Sequence, residues 1–156
     1  MMVEIRKILF AEDNPRDVEL TIEALADHNL ANNVIVVRDG VETLEYLRCE
    51  GKYKQRKQGN PAVLLLDIKM PRMDGIEVLK TIRGDNKLKK LPVVMLTSSR
   101  EEQDLIKSYE LGVNAYVVKP VDFKEFIEAV KQVGVFWAVI NEVPPGRKLS
   151  DKLKFG

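Results

Sequence analysis

The sequence AVLLLDIKMPRMDG, residues 62–75, carries the clearest fold signal in the chain. Its first five residues form an unbroken apolar run of strand length, and such a run indicates a strand that is buried on both faces of a parallel sheet. Asp67 ends the run, and Asp74 with Gly75 marks the start of a helix whose apolar residues recur at helical spacing. The stretch therefore predicts a buried strand, a loop that begins with an acid, and a helix.

The same alternation recurs along the chain, giving five strand–helix units in all. The other four strand signals are residues 8–11, 34–37, 93–96 and 115–118. Predicted helix starts are Pro15, the N-cap Asp39, and the capping boxes Ser99/Glu102 and Asp122/Glu125. Apolar strands joined by helices predict a parallel α/β sheet with helices on both faces.

The last helix is predicted to be unusually long and apolar. Its apolar stripe comprises Phe126, Val130, Val133, Trp137 and Ile140. Residues 1–143, including this extended helix, are predicted to form one domain, and residues 144–156 a basic tail. A second apolar surface on the helix predicts contact with another protein chain.

The composition excludes several classes of function. The net charge of +1 gives no overall attraction to nucleic acid, and the basic tail has no helix-turn-helix pattern. No run approaches the roughly 20 apolar residues of a membrane helix. Cys49 is the only cysteine, so an internal disulfide and a cysteine-based zinc site are excluded. We expect a cytoplasmic protein without nucleic-acid or membrane partners.

Polar residues follow the predicted strands at the edge where such sheets bind ligands. Glu12 and Asp13 follow the first strand, Asp67 the third, Thr97 the fourth and Lys119 the fifth. Three carboxylates at one edge would repel each other, and Mg²⁺ resolves such repulsion because it prefers oxygen ligands. Asp67 is the best candidate for a nucleophile toward phosphorus, because it ends the central strand.

The pattern as a whole resembles the receiver domain of two-component response regulators. The matching residues are Glu12-Asp13, the stretch 67–75, Thr97-Ser98 and Lys119-Pro120, and the resemblance covers roughly residues 7–133. It implies a flavodoxin-like, doubly wound (βα)5 fold with strand order 2-1-3-4-5. It also implies a phosphoacceptor rather than an enzyme, one that assists only its own Mg²⁺-dependent phosphorylation and dephosphorylation.

The resemblance assigns a role to each residue of the pocket. Asp67 accepts a phosphoryl group from a histidine kinase, and Lys119 pairs with that group. The Mg²⁺ ligands are Asp13 and Asp67 directly, Glu12 mostly through water, and the backbone carbonyl of Lys69. Thr97 and Tyr116 form the switch pair, and the Lys119-Pro120 peptide is expected to be cis. Lys69 departs from the small or polar residue that the family often has there, and its side chain is expected near the path of attacking water.

A narrower resemblance comes from the end of the chain. Residues 134–137 and 141–145 resemble stand-alone regulators that are paired with phytochromes. This implies a phytochrome-type histidine kinase as phosphodonor and a homodimer through the fourth and fifth helices. The predicted interface residues are Leu105, Tyr109, Tyr116, Phe136, Trp137 and Ile140.

Two other functions are alternatives to this interpretation. One is an aspartyl-phosphate phosphatase or phosphotransferase, but such enzymes usually carry a second acid two residues after the nucleophile, where this chain has Lys69. The other is a scaffold receiver that is never phosphorylated, which predicts loss of pocket acids that this chain retains.

Overall fold

The computed structural model describes residues 7–57, 59–108, 113 and 115–140, without the side chains of residues 32, 105–108 and 137. Its strands are β1 (Ile8–Ala11), β2 (Val34–Val37), β3 (Val63–Asp67), β4 (Val93–Thr97) and β5 (Tyr116–Val118). They form one parallel sheet in the order β2-β1-β3-β4-β5. The predicted strand order is therefore confirmed.

Helices follow the strands in the expected alternation. They are α1 (Pro15–Ala26), α2 (Gly40–Arg48), α3 (Gly75–Arg83), α4 (Arg100–Ser108), α5 (Phe123–Gln132) and α6 (Phe136–Ile140). Short 3-10 turns lie at Ala31–Asn33 and Gly51–Tyr53. None of the helices in the described part of the chain is long and apolar enough to cross a membrane.

Two apolar layers cover the sheet because successive strand residues point to opposite faces. On one face, Leu9, Leu64 and Met95 pack against α2 and α3 in one cluster of buried side chains. On the other, Phe10, Leu65 and Leu96 join a second cluster with α1 and α5. With both faces covered, β1, β3 and β4 are buried along their whole length. The continuous apolar runs of the sequence reflect this double burial.

The helices begin where their capping residues predict. Side-chain oxygens of Asp39, Asp74 and Asp122 accept from the backbone N–H three residues later, at 2.7, 2.9 and 2.8 Å. Ser99 Oγ accepts from Glu102 N at 3.3 Å. At α1, Asn14 is the cap, and Pro15 occupies the first helical position, where its missing N–H costs nothing.

The prediction of one extended last helix is wrong. The helix α5 ends at Gln132, and Gly134 takes the left-handed conformation with φ +79°. The N–H groups of Gly134 and Val135 donate to the carbonyls of Lys131 and Val130, both at 3.0 Å. This is the glycine-dependent hydrogen-bond pattern that closes a helix, so α6 begins as a separate element. The predicted tail, residues 144–156, lies outside the described residues.

A buried glutamate anchors the basic loop that follows α2. Glu42, which is 8% exposed, accepts hydrogen bonds from Tyr53 Oη at 2.6 Å and from the Arg38 N–H at 2.8 Å. Lys52 Nζ lies 2.6 Å from the same carboxylate. The loop is therefore fixed along α2 by a carboxylate that has its own set of donors.

Candidate functional site

The register of the parallel sheet brings the predicted site residues to one edge. Ala11 pairs with Leu66, Asp67 with Leu96, and Thr97 with Val118. The residues that follow these strands consequently meet beyond their carboxyl ends, where open parallel sheets bind ligands. The loop after β5 adds Lys119, whose peptide bond with Pro120 is cis as predicted.

Three carboxylates form an acidic cluster at this edge. One ligand oxygen from each of Glu12, Asp13 and Asp67 lies within 4.8 Å of the others. Glu12 is fully buried and Asp67 is 4% exposed, whereas Asp13 is exposed to solvent. A cluster that contains two buried acids and one exposed acid leaves a solvent-facing side through which an ion can enter.

Lys119 is the counter-charge of this cluster. Its Nζ lies 3.0 Å from Glu12 Oε1 and 3.1 Å from Asp67 Oδ1, and its side chain is 17% exposed. A third carboxylate, Asp17 Oδ2 in the first turn of α1, lies 3.1 Å away. Asp17 was not predicted from the sequence. The available signal was its place four residues after Asp13, on the helix that starts at the pocket.

Comparison with known proteins decides the family. A sequence model described as the response regulator receiver domain matches residues 8–131. The chain belongs to the response-regulator receiver family. The matched range contains Glu12, Asp13, Asp67, Thr97 and Lys119, the residues that the sheet brings to one edge.

Several receivers are similar over nearly the whole chain. Response regulator Rcp1 of Synechocystis sp. is 38% identical over 88% of this chain and 92% of its own. The solved structure of the bacteriophytochrome response regulator AtBRR is 60% identical, with a TM-score of 0.84, over 90% of this chain and 100% of that one. The phosphorylated cyanobacterial phytochrome response regulator RcpA is 39% identical, with a TM-score of 0.69, over 92% and 100%.

The receiver's acidic cluster fits a divalent metal ion. Its donors are all carboxylate oxygens, which hard divalent cations prefer, and the repulsion between them is only partly offset by Lys119. A structure of Rcp1, 37% identical with a TM-score of 0.65 over 85% of this chain and 94% of that one, is described as the Mn²⁺-bound form. A divalent cation at Glu12, Asp13 and Asp67 is therefore consistent with both the geometry and a relative.

Two acids of the receiver pocket have pKa values above their ordinary values. Burial, and then the charge of Asp67, raise the pKa of Glu12 from 4.5 to about 7, against the opposing effect of Lys119. Burial also raises the pKa of Asp67. For Lys119, burial alone lowers the pKa, but contacts with Glu12 and Asp67 outweigh it and raise the net pKa. Upward shifts of buried acids are typical of functional sites.

The two predicted switch residues lie on adjacent strands. Thr97 is fully buried at the end of β4, and its Oγ1 accepts from Gln103 Nε2 at 3.4 Å. Tyr116, at the start of β5, is half-buried, and its hydroxyl donates to the Val113 carbonyl at 3.4 Å. Gln103 was not singled out from the sequence, although it lies in the first turn of α4 beside Thr97.

The Lys69 side chain reaches α4. Its side chain is 83% exposed, and its Nζ lies 3.8 Å from Glu102 Oε2. Glu102 Oε1 also accepts from the Ser98 N–H at 2.6 Å, which ties this carboxylate to the loop after β4. Lys69 and Glu102 therefore bridge the loops after β3 and β4 at the mouth of the receiver pocket.

Three of the six predicted interface residues have described side chains, namely Tyr116, Phe136 and Ile140. Phe136 and Ile140 are half-buried and pack against the receiver's own core, where Val139 of the same helix is 2% exposed. Tyr116 is half-buried on β5, where Val118 is 44% exposed. Tyr109 and the side chains of Leu105 and Trp137 lie outside the described residues.

Proposed function

We propose that Asp67 is the phosphoacceptor of a histidine-kinase signalling pathway. The observation that carries the proposal is the placement of Asp67 at the end of β3, 3.1 Å from Lys119 Nζ and within the acidic cluster. A carboxylate that lies beside a lysine, in a cluster suited to a metal ion, can attack phosphorus. The phosphorylated state of the relative RcpA supports the same chemistry.

The transfer is a displacement at phosphorus. A carboxylate oxygen of Asp67 forms a bond to the phosphorus of a phosphohistidine, and the bond between phosphorus and the imidazole nitrogen breaks. The leaving imidazole keeps the electron pair and takes up a proton. Lys119 neutralises charge on the phosphoryl oxygens, and the Thr97 hydroxyl donates a hydrogen bond to one of them. When bound, a divalent cation supplies further neutralisation of that charge.

Mg²⁺ is the proposed ion. Asp13 and Asp67 would hold it directly, Glu12 mostly through water, and Lys69 through its backbone carbonyl. Support comes from the carboxylate donor set and from the exposed Asp13, which suits an ion that keeps several waters.

The proposed phosphodonor is a phytochrome-type histidine kinase. The relatives AtBRR and RcpA are described as phytochrome response regulators, and AtBRR is 60% identical to this chain. The proposed output is protein contact, including a homodimer through α4, α5 and β5. Exposed Val118 on β5, next to Tyr116, is the described apolar surface that supports such a contact.

Phosphorylation by a small donor tests the proposal without the kinase. Wild type, Asp67→Asn and the control Asp85→Asn are incubated with acetyl phosphate and Mg²⁺, and intact mass is followed. Asp85 is a matched control because it is an aspartate in the loop after α3, away from the pocket. We expect one added phosphoryl group on wild type and Asp85→Asn, and none on Asp67→Asn. Equal modification of all three proteins would refute the assignment.

The kinase is tested by phosphotransfer profiling. A phosphorylated phytochrome kinase of the source organism is expected to transfer its label to this chain faster than the organism's other histidine kinases do. Preference for a kinase without a photosensory domain would refute the phytochrome pairing, and it would leave the role of Asp67 intact.

A further inference from the structure

The loop between β3 and α3 is held by an ion pair that the proposed chemistry does not use. In that loop, Arg72 Nε lies 2.9 Å from Asp39 Oδ2, and Arg72 Nη2 lies 3.1 Å from Asp39 Oδ1. Because the guanidinium group binds both carboxylate oxygens, the contact fixes the orientation of the Arg72 side chain and also pairs opposite charges. Asp39 is 14% exposed and Arg72 57% exposed.

The Asp39 end of the pair is itself rigid. Asp39 caps α2, and its Oδ1 accepts from the Glu42 N–H at 2.7 Å. Its backbone carbonyl accepts from Thr43 Oγ1, also at 2.7 Å. Because α2 packs on the sheet, a side chain tied to Asp39 is tied to the core of the domain.

The loop also approaches its surroundings closely at two glycines. A Cβ added at Gly40 would overlap the Met73 carbonyl, and one added at Gly75 would overlap the carbonyl of Asp67. Arg72, between these points, has φ +66°. A non-glycine residue rarely adopts this left-handed conformation unless its surroundings hold it there. The loop that starts at the phosphoacceptor is thus fastened to α2 by backbone packing and by the fork of Arg72.

We propose that the Asp39–Arg72 pair positions the metal-binding loop. The pair fixes the loop at Arg72, three residues after Lys69. It thereby holds the Lys69 carbonyl in place to receive the cation. Asp39 and Arg72 then raise the affinity for Mg²⁺ without touching the ion, as outer groups that orient metal ligands do. The inference rests on the proposed function, because it takes the Lys69 carbonyl as a ligand.

The chain offers a matched control in a second arginine–aspartate pair. Arg48, the last residue of α2, lies 3.4 Å from Asp85, in the loop after α3. This pair also joins α2 to the neighbourhood of α3, and its side chains are 40% and 23% exposed. It lies at the end of α2 opposite to Asp39, and therefore away from the pocket.

The test is a set of Mg²⁺ titrations by calorimetry on the full chain. The variants are Arg72→Gln, Asp39→Asn, the double variant and the control Arg48→Gln. Asparagine at position 39 keeps the helix cap and removes the charge. Each variant's unfolding midpoint is also measured without metal, so that loss of affinity is separated from loss of stability.

We expect each single pocket-side substitution to weaken Mg²⁺ binding by about 3- to 10-fold, which is less than the roughly 10- to 100-fold typical of outer groups because Arg72 is partly exposed. The double variant is expected to bind no more weakly than the weaker single variant, because both substitutions remove one shared contact. Arg48→Gln is expected to bind as wild type does.

Wild-type affinity in Arg72→Gln and Asp39→Asn would overturn the positioning role. Equal weakening in Arg48→Gln would overturn it too, since the effect would then follow from any pair on α2. These outcomes leave the proposed function standing, because wild type still binds. Absence of Mg²⁺ binding by wild type would instead refute the proposed metal site, and the positioning role with it.

Discussion

Glu12 and Glu42 are both buried glutamates, yet their surroundings act on them in opposite directions. Glu42 accepts from Tyr53, Lys52 and the Arg38 N–H, and shares these donors with no other acid described nearby. Burial alone raises the pKa of Glu42, but these contacts outweigh it and hold the net pKa below 4.5. Glu12 shares Lys119 with Asp17 and Asp67, and its pKa rises to about 7.

We interpret the difference as one between a structural carboxylate, Glu42, and a carboxylate of the proposed metal site, Glu12. A buried charge contributes to stability only when its desolvation is offset by well-placed partners, as at Glu42. The pocket instead gathers several acids around one ammonium, which leaves charge for a cation to neutralise. We infer that the charged form of Glu12 lowers the stability of the metal-free receiver, because the acids of the proposed metal site lie close together. Glu42 belongs to no such site.

Glu42→Gln is expected to have the largest effect on the metal-free protein. The substitution leaves Lys52, Tyr53 and the Arg38 N–H without their charged acceptor, which lowers the free energy of unfolding by about 2–3 kcal/mol. Urea unfolding at about pH 8 with a chelator measures it. A loss below about 0.5 kcal/mol would show that the loop, and not the carboxylate, carries the stability.

Mg²⁺ is expected to stabilise the protein through the site that contains Glu12, and not through Glu42. At about 100 times its dissociation constant, the ion should stabilise wild type by about 2.7 kcal/mol, and Glu42→Gln by the same amount. Glu12→Gln should gain less, since one charge of the cluster is gone. Thermal unfolding with and without Mg²⁺ provides the values. Equal gains in Glu12→Gln and wild type would remove Glu12 from the metal site.

Glu12→Gln is expected to stabilise the metal-free protein, opposite in sign to Glu42→Gln. Glutamine resembles the protonated acid that the folded pocket prefers, so the free energy of unfolding should rise by about 1–2 kcal/mol at about pH 8. The same urea experiment measures it. Destabilisation equal to that of Glu42→Gln would mean that the ion pair with Lys119 outweighs the repulsion from Asp67.

Glu12 and Glu42 are also expected to change the stability with pH in opposite directions. The folded pKa of Glu12 is raised, so the folded state binds the proton more tightly than the unfolded state. That stabilisation is full below about pH 4.5 and is lost as the pH rises to about 7. Glu42 has a lowered pKa, and its contribution is present above about pH 4.5 and lost as the pH falls through the folded pKa. Differences from wild type, measured in each glutamine variant across this range, test both signs.

Asp17→Asn should have the smallest effect. Asp17 is 29% exposed and is one of three acids on Lys119, so its loss should lower stability by about 0.5–1 kcal/mol. Glu19→Gln on the exposed side of α1 removes the same charge without this contact and should be neutral. If the two variants lose equal stability, the loss results from removing a negative charge from α1, and not from breaking the contact with Lys119.

The strands and the pocket were readable from sequence because each rests on a local pattern plus one topological rule. Apolar runs indicate buried parallel strands, and parallel strands place their following residues at one edge. Glu12, Asp13, Asp67, Thr97 and Lys119 were all found in this way. Asp17 was missed because it belongs to a helix, and only the packing of α1 brings its carboxylate to Lys119.

The end of α5 shows a second limit. The apolar stripe continued at helical spacing past Gly134, and the periodicity outweighed the glycine in the prediction. In the structure the glycine ends the helix, because the N–H groups of Gly134 and Val135 donate the two hydrogen bonds that close it. Glu42 was likewise not recognisable as an anchor, since its donors Tyr53 and Lys52 come from a loop whose path the local pattern does not define.

The central claim is that Asp67 carries the phosphoryl group. The most direct measurement is reduction of the acetyl-phosphate-treated protein with borohydride, which converts an aspartyl phosphate to homoserine, followed by peptide mass spectrometry. We expect homoserine at position 67, dependent on Mg²⁺ and absent without the phosphodonor. Homoserine at position 13, or none at position 67 in a protein that has gained a phosphoryl group, would contradict it.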